Sequence, residues 1–266
     1  MRSPRDLVFG PAGSRYAGEL FVVDFVGAEA VWIKDLGTEA QSTQAIENSL
    51  VGAIAAEMDP TGRLFFACAT PTMGGTQGVI TVRSVGGQVV DFQYAGVSAP
   101  TGVALDGSGR LYVANRNDGT LVRIDFSDGA RPDNHRVETL AGNLSFATAG
   151  LLPSHLLVDP AGRLFLCETG GNRVRTWTEE EGLRIFAGPD QGLNQPVGIA
   201  RLDNGHLLVT NHGDGTLVEL DDQGLPLERI DTGLGQGQLY GVAVRNDGQV
   251  YVAAGDGAGR VYLLSR

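Results

Sequence analysis

The residues best equipped for chemistry in this chain are two that stand out from their surroundings, His155 and Glu168. An imidazole titrates near neutrality, so His155 is read as a general base, with Glu168 as its catalytic companion. Asp6, Asp24, His155 and Glu168 together make a candidate metal set. Carboxylate and amide oxygens suit calcium or magnesium, and one histidine is too few for a structural zinc site. Asn115, Asn211 and His212 are the candidate ligand-binding residues. His135 and His206 fall in loops at the other end of the strands and are expected to be solvated. No Ser-His-Asp order, phosphate-cradling glycine loop or Cys-x-x-Cys pair accompanies them.

These residues can act together only if the fold gathers them, and a repeat suggests that it does. A glycine, a polar residue and a short apolar run recur at Gly18, Gly62, Gly109, Gly162, Gly205 and Gly248, at intervals of 44, 47, 53, 43 and 43 residues. Units of this length that cannot bury a core alone, each with four short strands, predict a β-propeller. The third unit displays the plan. Val103-Ala104-Leu105 is a short inner strand, and Asp106-Gly107-Ser108-Gly109 is a turn. Leu111 to Ala114 form the second strand, Thr120 to Ile124 the third and Val137 to Leu140 the fourth. Asp59-Pro60-Thr61-Gly62 and Asp159-Pro160-Ala161-Gly162 carry the residues a type I turn prefers. The expected fold is therefore all-β, one six-bladed propeller domain over residues 1–266.

In such a ring, the starts of the inner strands and the loops after the second strands share one face, called the top. The ends of the second strands place Asp24, Cys68, Asn115, Glu168, Asn211 and Ala254 at equivalent positions. The third residue of each inner-strand opening gives a second ring of Asp6, Ala55, Gly102, His155, Gly198 and Gly241, where small residues are the rule. Units one and four face each other across a six-unit ring, so Asp6 and His155 are opposed. Asp6, Asp24, Asn115, His155, Glu168 and Asn211 are expected around the top mouth of the channel, with His212 at its rim. A structural reading stands beside the functional one: Asp or Asn closing a second strand can bond backbone N–H groups of the next turn. Residues 70–77, 143–152 and 187–195 are longer segments on the same face, where a rigid scaffold usually carries its binding loops.

Pro100-Thr101-Gly102-Val103-Ala104-Leu105-Asp106, continued through Leu111-Tyr112-Val113-Ala114-Asn115, resembles an NHL repeat. The likeness covers most of the chain and is strongest in units three to five. It implies a six-bladed propeller related to binding modules, gluconolactonase-like hydrolases and amidating or ring-opening lyases. Three functions are open. The first is binding of a protein, peptide or small polar ligand through the top face. The second is a metal-assisted hydrolase, although the Pro-Asn-Gly opening of gluconolactonases reads Pro100-Thr101-Gly102 and Pro196-Val197-Gly198 here. The third is a lyase using His155 as base, with one such histidine where the amidating lyases use several. Binding ranks first, with a metal-dependent lyase or hydrolase as the alternative.

The formal net charge of −11 argues against a nucleic-acid partner, which demands clustered Lys and Arg. No apolar run is long enough for a membrane helix, and the first ten residues hold no secretory signal core. Cys68 and Cys167 lie on non-adjacent units and are read as buried free thiols. The sixth unit has no evident outer strand. Either its blade has three strands, or a segment preceding residue 1 supplies the fourth and with it any export signal, which leaves localisation open.

Overall fold

All six repeat glycines adopt left-handed backbone, with φ from 76° at Gly18 to 91° at Gly205, so each marks a turn that a side chain would strain. The preceding aspartates lock three of these turns. Asp59 Oδ1 accepts the N–H groups of Thr61 and Arg63, and Arg63 Nε donates to Oδ2 at 2.6 Å. Asp106 with Arg110 and Asp159 with Arg163 repeat the arrangement. The structure, a computed structural model, describes every residue except 2, 48–49, 70–77, 127–134, 147–151, 256–258 and 265–266. The expected segment 70–77 and half of 143–152 therefore lie outside the described residues.

The chain is a six-bladed β-propeller. Blade one comprises β1 (Pro4–Phe9), β2 (Leu20–Asp24), β3 (Glu29–Lys34) and β4 (Ser42–Glu47), and blade two β5 (Ala53–Met58), β6 (Leu64–Cys68), β7 (Val79–Arg83) and β8 (Val89–Gln93). Blade three is β9 (Pro100–Leu105), β10 (Arg110–Asn115), β11 (Thr120–Asp125) and β12 (Val137–Ala141). Blade four is β13 (Leu156–Val158), β14 (Leu164–Glu168), β15 (Arg173–Thr178) and β16 (Gly182–Ala187). Blade five contains β17 (Pro196–Arg201), β18 (Leu207–Asn211), β19 (Thr216–Leu220) and β20 (Pro226–Asp231). Blade six has three strands, β21 (Leu239–Val244), β22 (Val250–Ala254) and β23 (Arg260–Leu264), as the first of the two closure alternatives expects. Within each blade consecutive strands pair antiparallel, the inner one lining the axis.

The core is distributed between blades. Six apolar clusters each join two neighbours, from Val8, Phe21 and Phe66 between blades one and two to Leu7, Val22, Tyr240 and Tyr251 between one and six. The second strands are buried on both faces, which is why they read as continuous apolar runs. Fourth strands such as Ser42–Glu47 and Pro226–Asp231 face water and are polar. Both cysteines are buried and free.

Candidate ligand site in the central channel

Burial alone does not make a site, and the ring at the ends of the second strands shows why. Asp24 Oδ1 accepts the backbone N–H of Ser3, Asn115 Oδ1 that of Ser98, Glu168 Oε1 that of Ser145 and Asn211 Oδ1 that of Asn194, all within 2.8–3.1 Å. The four acceptors thus hold the segment arriving at their own blade against its second strand. The amides also donate, Asn115 to Gly96 O and Thr120 Oγ1, Asn211 to Gly192 O and Thr216 Oγ1. Only Asp24 also receives an N–H from the turn that follows, that of Gly27. Glu168 takes two guanidinium groups besides, from Arg173 and Arg175. Burial raises its carboxyl, but Arg173, the Ser145 N–H and Arg175 outweigh burial and hold it below the usual range.

Asp6 and His155 do meet. Their ring is otherwise Ala55 and glycines, and backbones crowd there: a Cβ on Gly102 would sit 1.9 Å from Ser154 O, and one on Gly241 3.2 Å from His155 Cε1. His155 N–H donates to Val197 O and its carbonyl accepts from Cys167, which fixes the imidazole's base. The ring brings Nε2 to 3.3 Å from Asp6 Oδ1, too poorly aligned for a hydrogen bond, so Nε2 is buried without one. Asp6 Oδ1 accepts Leu7 N–H at 2.7 Å and Oδ2 accepts Ala56 N–H from the next blade at 2.8 Å. Burial pushes Asp6 up to about 7 against its two N–H bonds. The same burial pushes His155 down to about 3, below the near-neutral range expected of a free imidazole.

Below this ring the channel widens into a cavity of about 290 Å³, running from Asp6 and His155 to Pro11, Arg201 and Asn246 at the bottom ends of the inner strands. Its lining alternates aliphatic side chains with polar ones, Asp6, His155, Arg201 and Asn246, and includes one acid that sequence reasoning missed. Glu57 occupies the next channel position down, where the other units carry Val8, Ala104, Leu157, Ala200 and Ala243. A lone carboxylate in that series was the available signal. Burial pushes Glu57 up to about 8, opposed by its bond from Met58 N–H and reinforced by Asp6.

The expected set Asp6, Asp24, His155 and Glu168 does not form a cation cage. Among the described residues no three His, Cys, Asp or Glu side chains are grouped to hold a metal, and the oxygens of Asp24 and Glu168 already accept backbone or guanidinium donors. His212 lies at the top, its Nδ1 donating to Leu239 O at 2.9 Å and its ring 4.8 Å from Tyr240. The Arg5 guanidinium covers the same tyrosine at 4.0 Å. His135 and His206 are half-buried and partnered by Tyr94 and Glu219, rather than solvated.

A carboxyl raised on folding stabilises the fold below its unfolded-state range and loses that contribution as pH rises through the folded value. Asp6 and Glu57 therefore weaken the protein as pH climbs toward about 8. His155, lowered by burial, acts oppositely, its contribution vanishing as pH falls from 6.5 toward about 3. Glu57→Gln should melt about 5 °C higher than wild type at pH 9 and show no such gain at pH 4. Calorimetry at the two pH values checks this.

No protein-family model and no curated protein matches the sequence. Solved structures match over nearly the whole chain. A gluconolactonase from Xanthomonas campestris is 16% identical, with a TM-score of 0.73 over 99% of this chain and 86% of its own. A streptogramin B lyase is 13% identical, with a TM-score of 0.68 over 99% and 94%. A chain of the nidogen/laminin complex is 16% identical, with a TM-score of 0.70 over 91% and 85%. Enzymes and a binding propeller thus share this fold, and at these identities the likeness speaks for the fold alone. Among the described residues no helix is long and apolar enough to cross a membrane.

Proposed function

We propose that the protein is a binding propeller that takes a small polar ligand into the bottom half of its central channel. The supporting observation is the cavity itself: a recess of mixed lining whose inner end converges on Asp6, Glu57 and His155, a concave site with a few convergent polar groups. The top-face residues Asn115, Asn211 and Glu168, considered first from the sequence, are occupied in holding blades together and offer fewer free atoms. Ligand-observed NMR with a library of neutral, acidic and basic fragments tests the reading. Leu157→Trp narrows the cavity from one wall, and Val8→Trp does so from the opposite blade. Hits on wild type should disappear in whichever variant keeps the wild-type circular dichroism spectrum. Hits that persist in a folded variant, or an absence of hits, would remove the channel as the site.

A second reading, proton-transfer catalysis in the same cavity, is supported by the pairing of carboxyls raised to about 7 and 8 with a neutral imidazole. Protonated and ionised acids coexist there near neutral pH, as general acid–base work requires. Turnover of a bound fragment, abolished by Glu57→Gln with binding retained, separates it from simple binding.

A further inference from the structure

The buried acids of this protein, together with half-buried Glu57, divide into two groups by what faces them. Asp59, Asp159 and Glu168 each meet an arginine, and Glu219 meets His206. Asp24 lies near the N-terminal ammonium. Asp6 and Glu57 have no arginine or lysine in any ion pair among the described residues, and they line one cavity, where the charge of Asp6 adds to the cost of ionising Glu57. A buried carboxylate without a cation is costly, and proteins ordinarily pair it or protonate it. The groups facing this pair from every surrounding strand can be named. The strand β1 contributes Asp6 and β5 contributes Glu57. The segment before β13 adds His155, and β17 ends in Arg201. The β9 and β21 walls present Val103 and Val242 to Val244, and Asn246 follows at the mouth. Arg201 is exposed and its guanidinium lies against the Gly205 turn. His155 is 6% exposed, uncharged, and has Nε2 without an aligned hydrogen-bond partner. The inner end of the cavity is therefore rich in acceptors and short of positive charge.

Resting on the channel reading above, we propose that the ligand is a small organic ammonium, its cationic head held by Asp6 and Glu57 and its hydrocarbon part lying along Val8, Leu157 and Val242. Each Asp6 oxygen spends one lone pair on a backbone N–H, and Glu57 Oε1 accepts Met58 N–H, so acceptor capacity remains for the N–H groups of a primary ammonium. Charge-assisted hydrogen bonds to groups withdrawn from water are the strong kind. No metal is needed to satisfy the acids, and two carboxyls with a neutral imidazole beside them do not make a cation cage here. Because both carboxyls hold protons readily near neutral pH, the incoming cation displaces a proton into solvent, and binding tightens as pH rises toward 8.

Isothermal titration with benzylamine, benzyl alcohol and benzoate, three probes of one shape and three charges, tests this. Benzylamine should bind with a Kd of about 1 mM or better, with the alcohol about tenfold weaker and benzoate silent. At pH 7 its apparent enthalpy should vary with the ionisation enthalpy of the buffer in the direction of proton release. Glu57→Gln should weaken benzylamine about tenfold and leave benzyl alcohol unchanged. Alcohol or benzoate binding as tightly as the amine overturns the ammonium and leaves the channel reading standing. Silence from all three probes, with no fragment lost in the folded tryptophan variants, overturns both. Competition by calcium, magnesium or zinc stronger than benzylamine would replace the ammonium by a metal.

Discussion

Gly102→Ala is expected to cost about 3 kcal/mol or more, enough to deplete the folded protein at ordinary growth temperature. The new methyl group would lie 1.9 Å from Ser154 O and 2.9 Å from its carbonyl carbon, and both are backbone atoms that no rotamer change can move aside. Ser154 is itself fixed, its N–H donating to Thr101 O at 3.0 Å across the junction of blades three and four. Relief therefore requires the two inner strands to part, which would also carry His155 away from Asp6. Gly107→Ala, three strand positions and one turn further on, meets nothing within 4 Å and should change stability by less than about 0.5 kcal/mol. Urea unfolding of the two variants side by side distinguishes a packing effect from a general dislike of alanine.

Removing the Glu168 carboxylate should be comparably severe. Glu168→Ala leaves Arg173 and Arg175 facing each other and orphans the Ser145 N–H, a loss of about 3 kcal/mol once the partial exposure of both arginines is allowed for. Glu168→Gln retains an acceptor for Ser145 and should lose less. The wild-type carboxyl sits below its ordinary range, so its contribution is complete above the unfolded-state value and is lost as pH falls through the folded one. The wild type and Glu168→Ala should therefore converge in melting temperature under strongly acidic conditions and diverge at pH 7.

Much of the architecture could be read directly from residues. The six glycines located the turns, the apolar runs between them located the second strands, and the equivalence of positions put Asp6 opposite His155. The chemistry was less legible because equivalence fixes where a residue is, and not what its atoms bond. Asp24, Asn115, Glu168 and Asn211 look alike as candidate ligands, yet their N–H donors lie 21, 17, 23 and 17 residues upstream, in segments of unequal length. No spacing rule exposes such partners. Glu57 is a different case. Its position in the series Val8, Ala104, Leu157, Ala200 and Ala243 was readable, but a single acid among aliphatic equivalents does not by itself mark a cavity. The burial that shifts His155 away from neutrality also depends on neighbours from four other blades, Asp6, Gly102, Val197 and Gly241, which no local stretch reveals.

The three-stranded sixth blade gives the molecule a particular topology of cohesion. Blades one to six succeed one another along the chain, and blade one keeps all four of its own strands, so among the described residues no strand crosses from one side of the final junction to the other. That junction is closed by Leu7, Leu20, Val22 and Ile33 against Tyr240, Ala243 and Tyr251, with Arg245 reaching Leu36 O. Residues 1–266 are in effect a linear array of six units bent round until the first and last blades adhere. Its cooperativity should follow nearest-neighbour rules, with one interface more than a straight stack of the same length. Opening that interface exposes two apolar faces without unfolding any of the described sheets, so the ring can part there and leave the blades intact.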